Sequence, residues 1–184
     1  MIEPLRIIFD VDAEPDHAFW VWTQRASMWW PPSHTAAKRK GTRLVFEPRP
    51  GGRVFERDPD GNEVDWGAVL AWEPPGRLVY RWHIFGDASD ATEVEVRFVA
   101  NGDGTTKVEL EHRGWDAFDD GATRRERNRS GWHRDIAIYA RACATSRPGP
   151  PARALDAPMP RPAGAAGQAQ LIERPPPAPP SGPG

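Results

Sequence analysis

The alternation of hydrophobic and polar residues along the chain predicts a protein built mainly of β-strands. The longest alternating stretch is 63–82, and its hydrophobic residues occupy every second position: Val64, Trp66, Ala68, Leu70 and Trp72 in the first arm, Leu78, Tyr80 and Trp82 in the second. A period of two places such residues on one face of a pleated sheet. Pro74-Pro75-Gly76 separates the arms, because proline lacks the amide donor that a strand needs. The stretch therefore predicts an antiparallel hairpin with one aromatic face.

The same alternation predicts further strands on both sides of this hairpin. They cover 5–11, 42–47 and 53–57 before it, and 92–99 and 107–113 after it. In the last two strands the positions predicted to face inward are Val94, Val96, Phe98, Val108, Leu110 and His112. Such alternation is typical of antiparallel sheets with one packed face and one solvated face.

Helical spacing of hydrophobic residues predicts one helix near each end of this strand region. A short amphipathic helix is expected at 17–23, after a turn that contains Pro15. A long helix is expected at 121–145, with Asp119 or Asp120 as its N-terminal cap. The stripe of this helix predicted to face the sheet is Trp132, Ile136, Tyr139 and Cys143.

The order of these elements predicts an α+β fold. In it, a curved antiparallel sheet of about six or seven strands packs on the long C-terminal helix and leaves a cavity between them. We assign this domain to residues 1–146. Residues 147–184 are rich in proline and poor in hydrophobic side chains, and we expect them to be disordered. This tail is either a passive extension or a ligand for a polyproline-recognising partner.

Composition narrows the classes of function. The formal charge of −2 gives no field that would recruit nucleic acid or an anionic membrane. A single cysteine excludes an internal disulfide and fits a reducing cytoplasm, where we expect the protein to act. Histidines and acids show no metal-binding spacing, and the glycine-rich turns show no phosphate-binding context. We therefore expect no metal and no cofactor, and we make no prediction of the oligomeric state.

Nine tryptophans are the unusual feature of the composition. Aromatic side chains suit the lining of a cavity for a flat or long apolar ligand. The candidates for such a lining are Trp29, Trp66, Tyr80, Trp82 and Trp132. A packed core without a ligand is the alternative for each of them.

Two histidines are candidates for polar chemistry. His112 follows Val108 and Leu110 on the predicted inner face, where it could orient a polar group of a ligand or act as a general base. A hydrogen-bonded core histidine is the more common arrangement at such a position. His34 follows the Trp-Pro corner at 29–32 and is either at the cavity mouth or an ordinary loop residue. We expect Glu47, Glu56 and Asp65 to be solvated charges on the sheet. The alternative is a carboxylate at the cavity rim that binds a polar headgroup together with Arg53 or Arg81.

Several segments together resemble a known family. They are Trp29-Trp30-Pro31-Pro32, Glu47-Pro48-Arg49-Pro50-Gly51-Gly52-Arg53, Trp66-Gly67, Trp72-Glu73-Pro74-Pro75, Glu93-Val94-Glu95-Val96, Glu111-His112-Arg113-Gly114-Trp115 and Gly131-Trp132. Their order and spacing are similar to those of the SRPBCC (START/Bet v 1-like) superfamily and, within it, of homologues of the activator of Hsp90 ATPase. The resemblance implies a helix-grip fold with a hydrophobic pocket, but it does not imply one function.

Three hypotheses of function follow. The favoured one is a small cytoplasmic binding protein that holds a hydrophobic or aromatic ligand, with Trp66, Trp82, His112 and Trp132 around it. The second is a cyclase or hydrolase that uses His112 as a general base. The third is a co-chaperone-like module that binds a protein partner through its outer face.

Overall fold

The computed structural model describes residues 1–84 and 91–146. The tail predicted at 147–184 lies outside the described residues. The strands are β1 (Leu5–Val11), β2 (Arg43–Phe46), β3 (Arg53–Arg57), β4 (Glu63–Glu73), β5 (Arg77–Trp82), β6 (Thr92–Ala100) and β7 (Thr106–Arg113). The helices are α1 (Pro15–Thr23), α2 (Ala26–Trp29) and α3 (Gly121–Thr145), with short 3₁₀ turns at Pro32–His34 and Trp115–Ala117.

The seven strands form one antiparallel sheet in the order β1-β7-β6-β5-β4-β3-β2. Strand β1 joins the edge beside β7, so the first and last strands of the chain pair with each other. The curved sheet packs on α3, which confirms the predicted α+β helix-grip architecture. The inward positions predicted in β6 and β7 are all buried, from Val94 to His112.

An aromatic core fills the space between the sheet and the helices. Trp22 of α1 stacks on Trp132 of α3 at 6.0 Å between ring centroids, and it meets Tyr139 edge to face at 4.9 Å. Aromatic pairs in these orientations contribute about 0.5–1.5 kcal/mol each beyond the area they bury. The Tyr139 hydroxyl donates to the Ala18 carbonyl of α1 and so fixes this helix to α3.

The burial pattern of strand β4 differs from the predicted alternation. Leu70 is 39% exposed, whereas Val69 is fully buried. In the pairing with β5, Val69 faces Tyr80 and Ala71 faces Val79, so Leu70 is an extra residue in a bulge. Val64 precedes this bulge and is itself 41% exposed, next to a second bulge where β4 pairs with β3. The prediction that Val64 and Leu70 share the buried face of Trp66 and Trp72 is therefore wrong.

Helix α3 begins and ends where the spacing predicts. Its N-cap is Asp120, but the carboxylate caps no backbone amide and instead accepts a hydrogen bond from Arg124 at 2.6 Å. Cys143 is buried on the side of the helix that faces the core, and burial raises the pKa of its thiol to about 12. Within 1–84 and 91–146, no helix has the length and hydrophobicity required to span a membrane.

Gly67 is required by the close approach of β4 to β5. A Cβ atom at this position would lie 1.9 Å from the Arg81 carbonyl oxygen, and the φ angle is +150°. We predict that Gly67→Ala lowers the free energy of unfolding by about 1–3 kcal/mol more than Gly61→Ala does. Gly61 is the matched control because it also has a positive φ, but a methyl group added there would meet no atom within 4 Å. Urea unfolding of both variants measures the difference, and equal losses would show that the close approach is absent.

Candidate functional site

A cavity of about 490 Å³ opens between the first half of α3 and the ends of β5 and β6. Its aromatic lining consists of Trp30, Trp82, Trp115, Phe118 and Trp132. Its polar and charged lining consists of His34, His83, Thr92, Asp120, Arg124, Arg127, Asn128, Arg134 and Asp135. The volume lies within the range of about 300–1,000 Å³ that is typical of small-molecule sites. We refer to it as the helix–sheet cavity.

Two of the six residues predicted from the sequence to bind a ligand line the helix–sheet cavity, namely Trp82 and Trp132. The other four are Trp29, Trp66, Tyr80 and His112, and they lie behind the lining. Trp66 is fully buried and packs edge to face on Trp82, with 5.4 Å between ring centroids. Tyr80 likewise packs on Trp82 at 5.4 Å. These four residues support the cavity from the core.

His112 connects the helix to three strands through both of its ring nitrogens. The Trp132 indole Nε1–H donates to His112 Nδ1 at 3.1 Å, and His112 Nε2 lies 2.7 Å from Thr92 Oγ1. Because an indole nitrogen can only donate, Nδ1 is the acceptor and the ring proton is on Nε2. The Thr92 hydroxyl then donates to the Trp82 carbonyl at 3.0 Å. We call this series the Trp132–Trp82 hydrogen-bond chain.

The surroundings of His112 keep its ring neutral. The side chain is fully buried, and burial lowers its pKa from 6.5 to about 3. With both nitrogens engaged in the Trp132–Trp82 hydrogen-bond chain, no lone pair of the ring is directed at the cavity. Its position is that of a hydrogen-bonded core histidine, the arrangement that is more common at such a position in a sequence.

His34 is at the cavity and is paired with a buried acid. Its Nδ1 lies 3.5 Å from Asp135 Oδ2, and its Nε2 lies 2.9 Å from Arg134 Nη2. The Asp135 side chain is only 4% exposed. Burial raises the pKa of Asp135, and the neighbouring His34 and Arg134 oppose this rise. An acid, a base and a guanidinium thus meet at one side of the cavity.

Sequence reasoning missed Asp135, although a signal for it was present. Asp135 comes three residues after Trp132, and residues at this spacing share one face of a helix. His83 was also missed, and it directly follows Trp82. Its Nε2 lies 3.1 Å from Asp65 Oδ2, while its buried Nδ1 has no hydrogen-bond partner in the described part of the chain.

Glu56 holds the loop that carries His34. Its two carboxylate oxygens accept hydrogen bonds from the Ala36 and Ala37 amides at 2.7 Å and 2.8 Å. The residue is 1% exposed, so the prediction of a solvated charge is wrong for it. Its side chain lies on the inner side of β3, where the loop after α2 covers it. Glu56 therefore contributes to the position of His34 without lining the cavity.

Comparisons with known proteins agree with this architecture. Residues 12–137 match the family model described as Activator of Hsp90 ATPase homolog 1-like protein, which confirms the resemblance in the sequence. A comparison with curated protein sequences finds no match.

Solved structures similar to this chain include a synthase and a resistance protein. The anthrahydroquino-gamma-pyrone synthase Txn09 is 37% identical, with a TM-score of 0.52, over 76% of this chain and 96% of that one. The self-sacrificing resistance protein CalC from Micromonospora echinospora is 26% identical, with a TM-score of 0.58, over 76% and 93%. Protein MLL2253 from Mesorhizobium loti, 17% identical with a TM-score of 0.56 over 78% and 99%, shares the fold.

The low pKa of His112 predicts how stability depends on pH. Below 6.5 the unfolded chain binds a proton at this histidine, whereas the folded protein does not until about pH 3. Stability is therefore lost as the pH falls through this interval. Between pH 7 and pH 5 the wild-type protein should lose about 2 kcal/mol more unfolding free energy than His112→Gln. Urea unfolding followed by tryptophan fluorescence measures this, with exposed His133→Gln as control. If the unfolding free energies of wild type and His112→Gln changed in parallel with pH, the assignment of His112 as a buried, neutral histidine would be contradicted.

The loop contact of Glu56 gives a second prediction. Glu56→Gln keeps one acceptor oxygen but places an amide NH₂ against a backbone N–H, so one buried donor loses its partner. We expect the free energy of unfolding to fall by about 1–3 kcal/mol. The control is Glu109→Gln, because Glu109 forms a surface ion pair with Lys107 and such pairs contribute about 0–1 kcal/mol. A loss no larger than that of the control would show that Glu56 does not hold the loop.

Proposed function

Because the chain belongs to the family of Activator of Hsp90 ATPase homolog 1-like proteins, we propose that it binds a planar aromatic small molecule in the helix–sheet cavity. The observation that carries this proposal is the cavity itself, which combines an aromatic lining with convergent polar groups. Sites of this composition bind ligands by stacking and orient them through a few hydrogen bonds.

The arrangement of the rings supports a flat ligand. Trp30 meets Trp82 edge to face at 5.2 Å and Trp132 edge to face at 6.2 Å between ring centroids. Trp132 is held by His112, and the Trp30 indole donates to the His34 carbonyl at 3.4 Å. The indole rings are therefore fixed before a ligand arrives, which reduces the entropy lost on binding.

The charged residues of α3 indicate where a ligand carries its polar group. Arg124, Arg127 and Arg134 line one side of the cavity. Among the described residues Arg127 forms no ion pair, so its guanidinium can pair with an acidic hydroxyl or carboxylate of the ligand. Txn09 is named as the synthase of an anthrahydroquino-gamma-pyrone, a compound class with fused rings and oxygen substituents, and this supports the same class of ligand here.

A cyclase-type enzyme is the second candidate function. The similarity to Txn09, which covers 96% of that synthase, favours it. We assign no catalytic role to His112, since its ring is fully buried behind the cavity lining and both of its nitrogens are hydrogen-bonded there. An enzyme built on this cavity would need its acid–base groups from other residues.

Gly131 provides a steric test of the proposed site. It lies in the cavity lining, and a Cβ atom at this position meets no atom within 4 Å. We predict that the Gly131→Leu side chain projects into the cavity and weakens binding of alizarin, a planar dihydroxyanthraquinone, at least tenfold. Quenching of tryptophan fluorescence in the full chain measures the affinity.

Gly131→Ala is the matched control, since it adds one methyl group at the same helical position. It should bind alizarin within about threefold of wild type, and both variants should be more stable because glycine disfavours helices by about 1 kcal/mol. Undiminished binding by Gly131→Leu would place the ligand outside the helix–sheet cavity and contradict the proposal.

A further inference from the structure

The contacts of His34 define which of its ring nitrogens can take up a proton. Arg134 Nη2 lies 2.9 Å from His34 Nε2, and a guanidinium can only donate. Nε2 is therefore the acceptor, and the ring proton is on Nδ1, which lies 3.5 Å from Asp135 Oδ2. This order of carboxylate, Nδ1–H and a basic Nε2 is the arrangement in which an acid orients a histidine general base.

Asp135 is suited to support a charged imidazole. Its carboxylate is almost completely buried, and its other oxygen accepts from Arg134 Nε at 3.3 Å. A carboxylate in such a position stabilises an imidazolium more strongly than a solvated one, because a low dielectric strengthens the interaction. Arg134 in turn touches both members of the pair.

From this geometry we propose that His34 removes a proton from an acidic hydroxyl, a phenol or an enol, of the aromatic ligand in the helix–sheet cavity. The ligand hydroxyl displaces the Arg134 Nη2–H from His34 Nε2, and the exposed guanidinium turns to pair with the ligand oxygen. The O–H bond breaks, its electron pair stays on oxygen, and the proton forms the new N–H bond at Nε2. Arg134 pairs with the resulting oxyanion, and Asp135 holds the imidazolium. No oxidant or reductant is needed.

This inference rests on the proposed ligand binding and extends it to proton transfer. Of the other described histidines, only His83 lines the cavity. Its unpartnered Nδ1 is itself buried, and its Nε2 faces Asp65. His34, by contrast, is 30% exposed in its side chain and carries its basic nitrogen beside a cationic partner. The hydrogen bonds from Ala36 and Ala37 to Glu56 fix the position of the loop that carries His34.

The test uses alizarin, whose absorption moves to longer wavelength when its phenol ionises. Bound to the full wild-type chain, its ionisation midpoint should fall by at least one pH unit relative to free dye. His34→Gln should raise the midpoint of the bound dye by about one pH unit, toward that of the free dye. Fluorescence quenching should still show that the dye is bound. Asp135→Asn should give an intermediate midpoint, because Nε2 remains but the imidazolium loses its partner.

The control is His133→Gln on the exposed side of α3, which should leave the midpoint unchanged. The charged groups that contact His34 are Arg134 and Asp135, and the cavity further contains Asp120, Arg124, Arg127 and His83. His34→Gln retains all of these charged groups, so a change in the ionisation midpoint of the dye is due to loss of the imidazole. A bound dye with the same midpoint in wild type and His34→Gln overturns the inference and leaves the binding function standing. Failure of the dye to bind overturns both.

Discussion

The Trp132–Trp82 hydrogen-bond chain is the contact on which the rest of the site depends. It runs from the indole of α3 through His112 of β7 and Thr92 of β6 to the carbonyl that ends β5. Each polar atom in it is buried and has a partner, so the helix is fixed to the sheet at one rotation and one depth. Trp132 and Trp82 consequently present their rings to the same cavity. A histidine that resembles a catalytic base in the sequence is, in the structure, the connection that shapes the site.

The polar and charged residues that stabilise the fold around the cavity are different from those that face a ligand. The neutral His112 and the carboxylate of Glu56 are fully buried and fix secondary structure and the loop after α2. The groups proposed to meet the polar substituent of a ligand lie one layer further out, where α3 places Arg134 and Asp135 opposite His34. Aromatic rings line the cavity between these layers, and an aromatic ligand packed on them would exclude water and so strengthen its own polar interactions.

Local patterns in the sequence predicted the fold well and the site less well. Strand alternation identified the inner face of β7, and helical spacing placed Trp132, because both depend only on neighbours along the chain. The exposed position of Leu70 depends on a bulge created by pairing with β5, which no local pattern encodes. Likewise, His34 and Arg134 are 100 residues apart and meet only through the packing of the loop on α3. The order of elements and the family resemblance both predicted the cavity, but of the six residues predicted to bind a ligand only Trp82 and Trp132 line it.

The central claim, that the helix–sheet cavity binds an aromatic ligand, is tested most directly by the indole signals of the nine tryptophans. In ¹H–¹⁵N spectra of the full chain titrated with alizarin, we predict that the largest shifts occur at Trp30, Trp82, Trp115 and Trp132, which line the cavity. Trp20, on α1 beside His17 and Arg25, should remain unchanged. Shifts centred on Trp20, or spectra without any saturable change, would contradict the account.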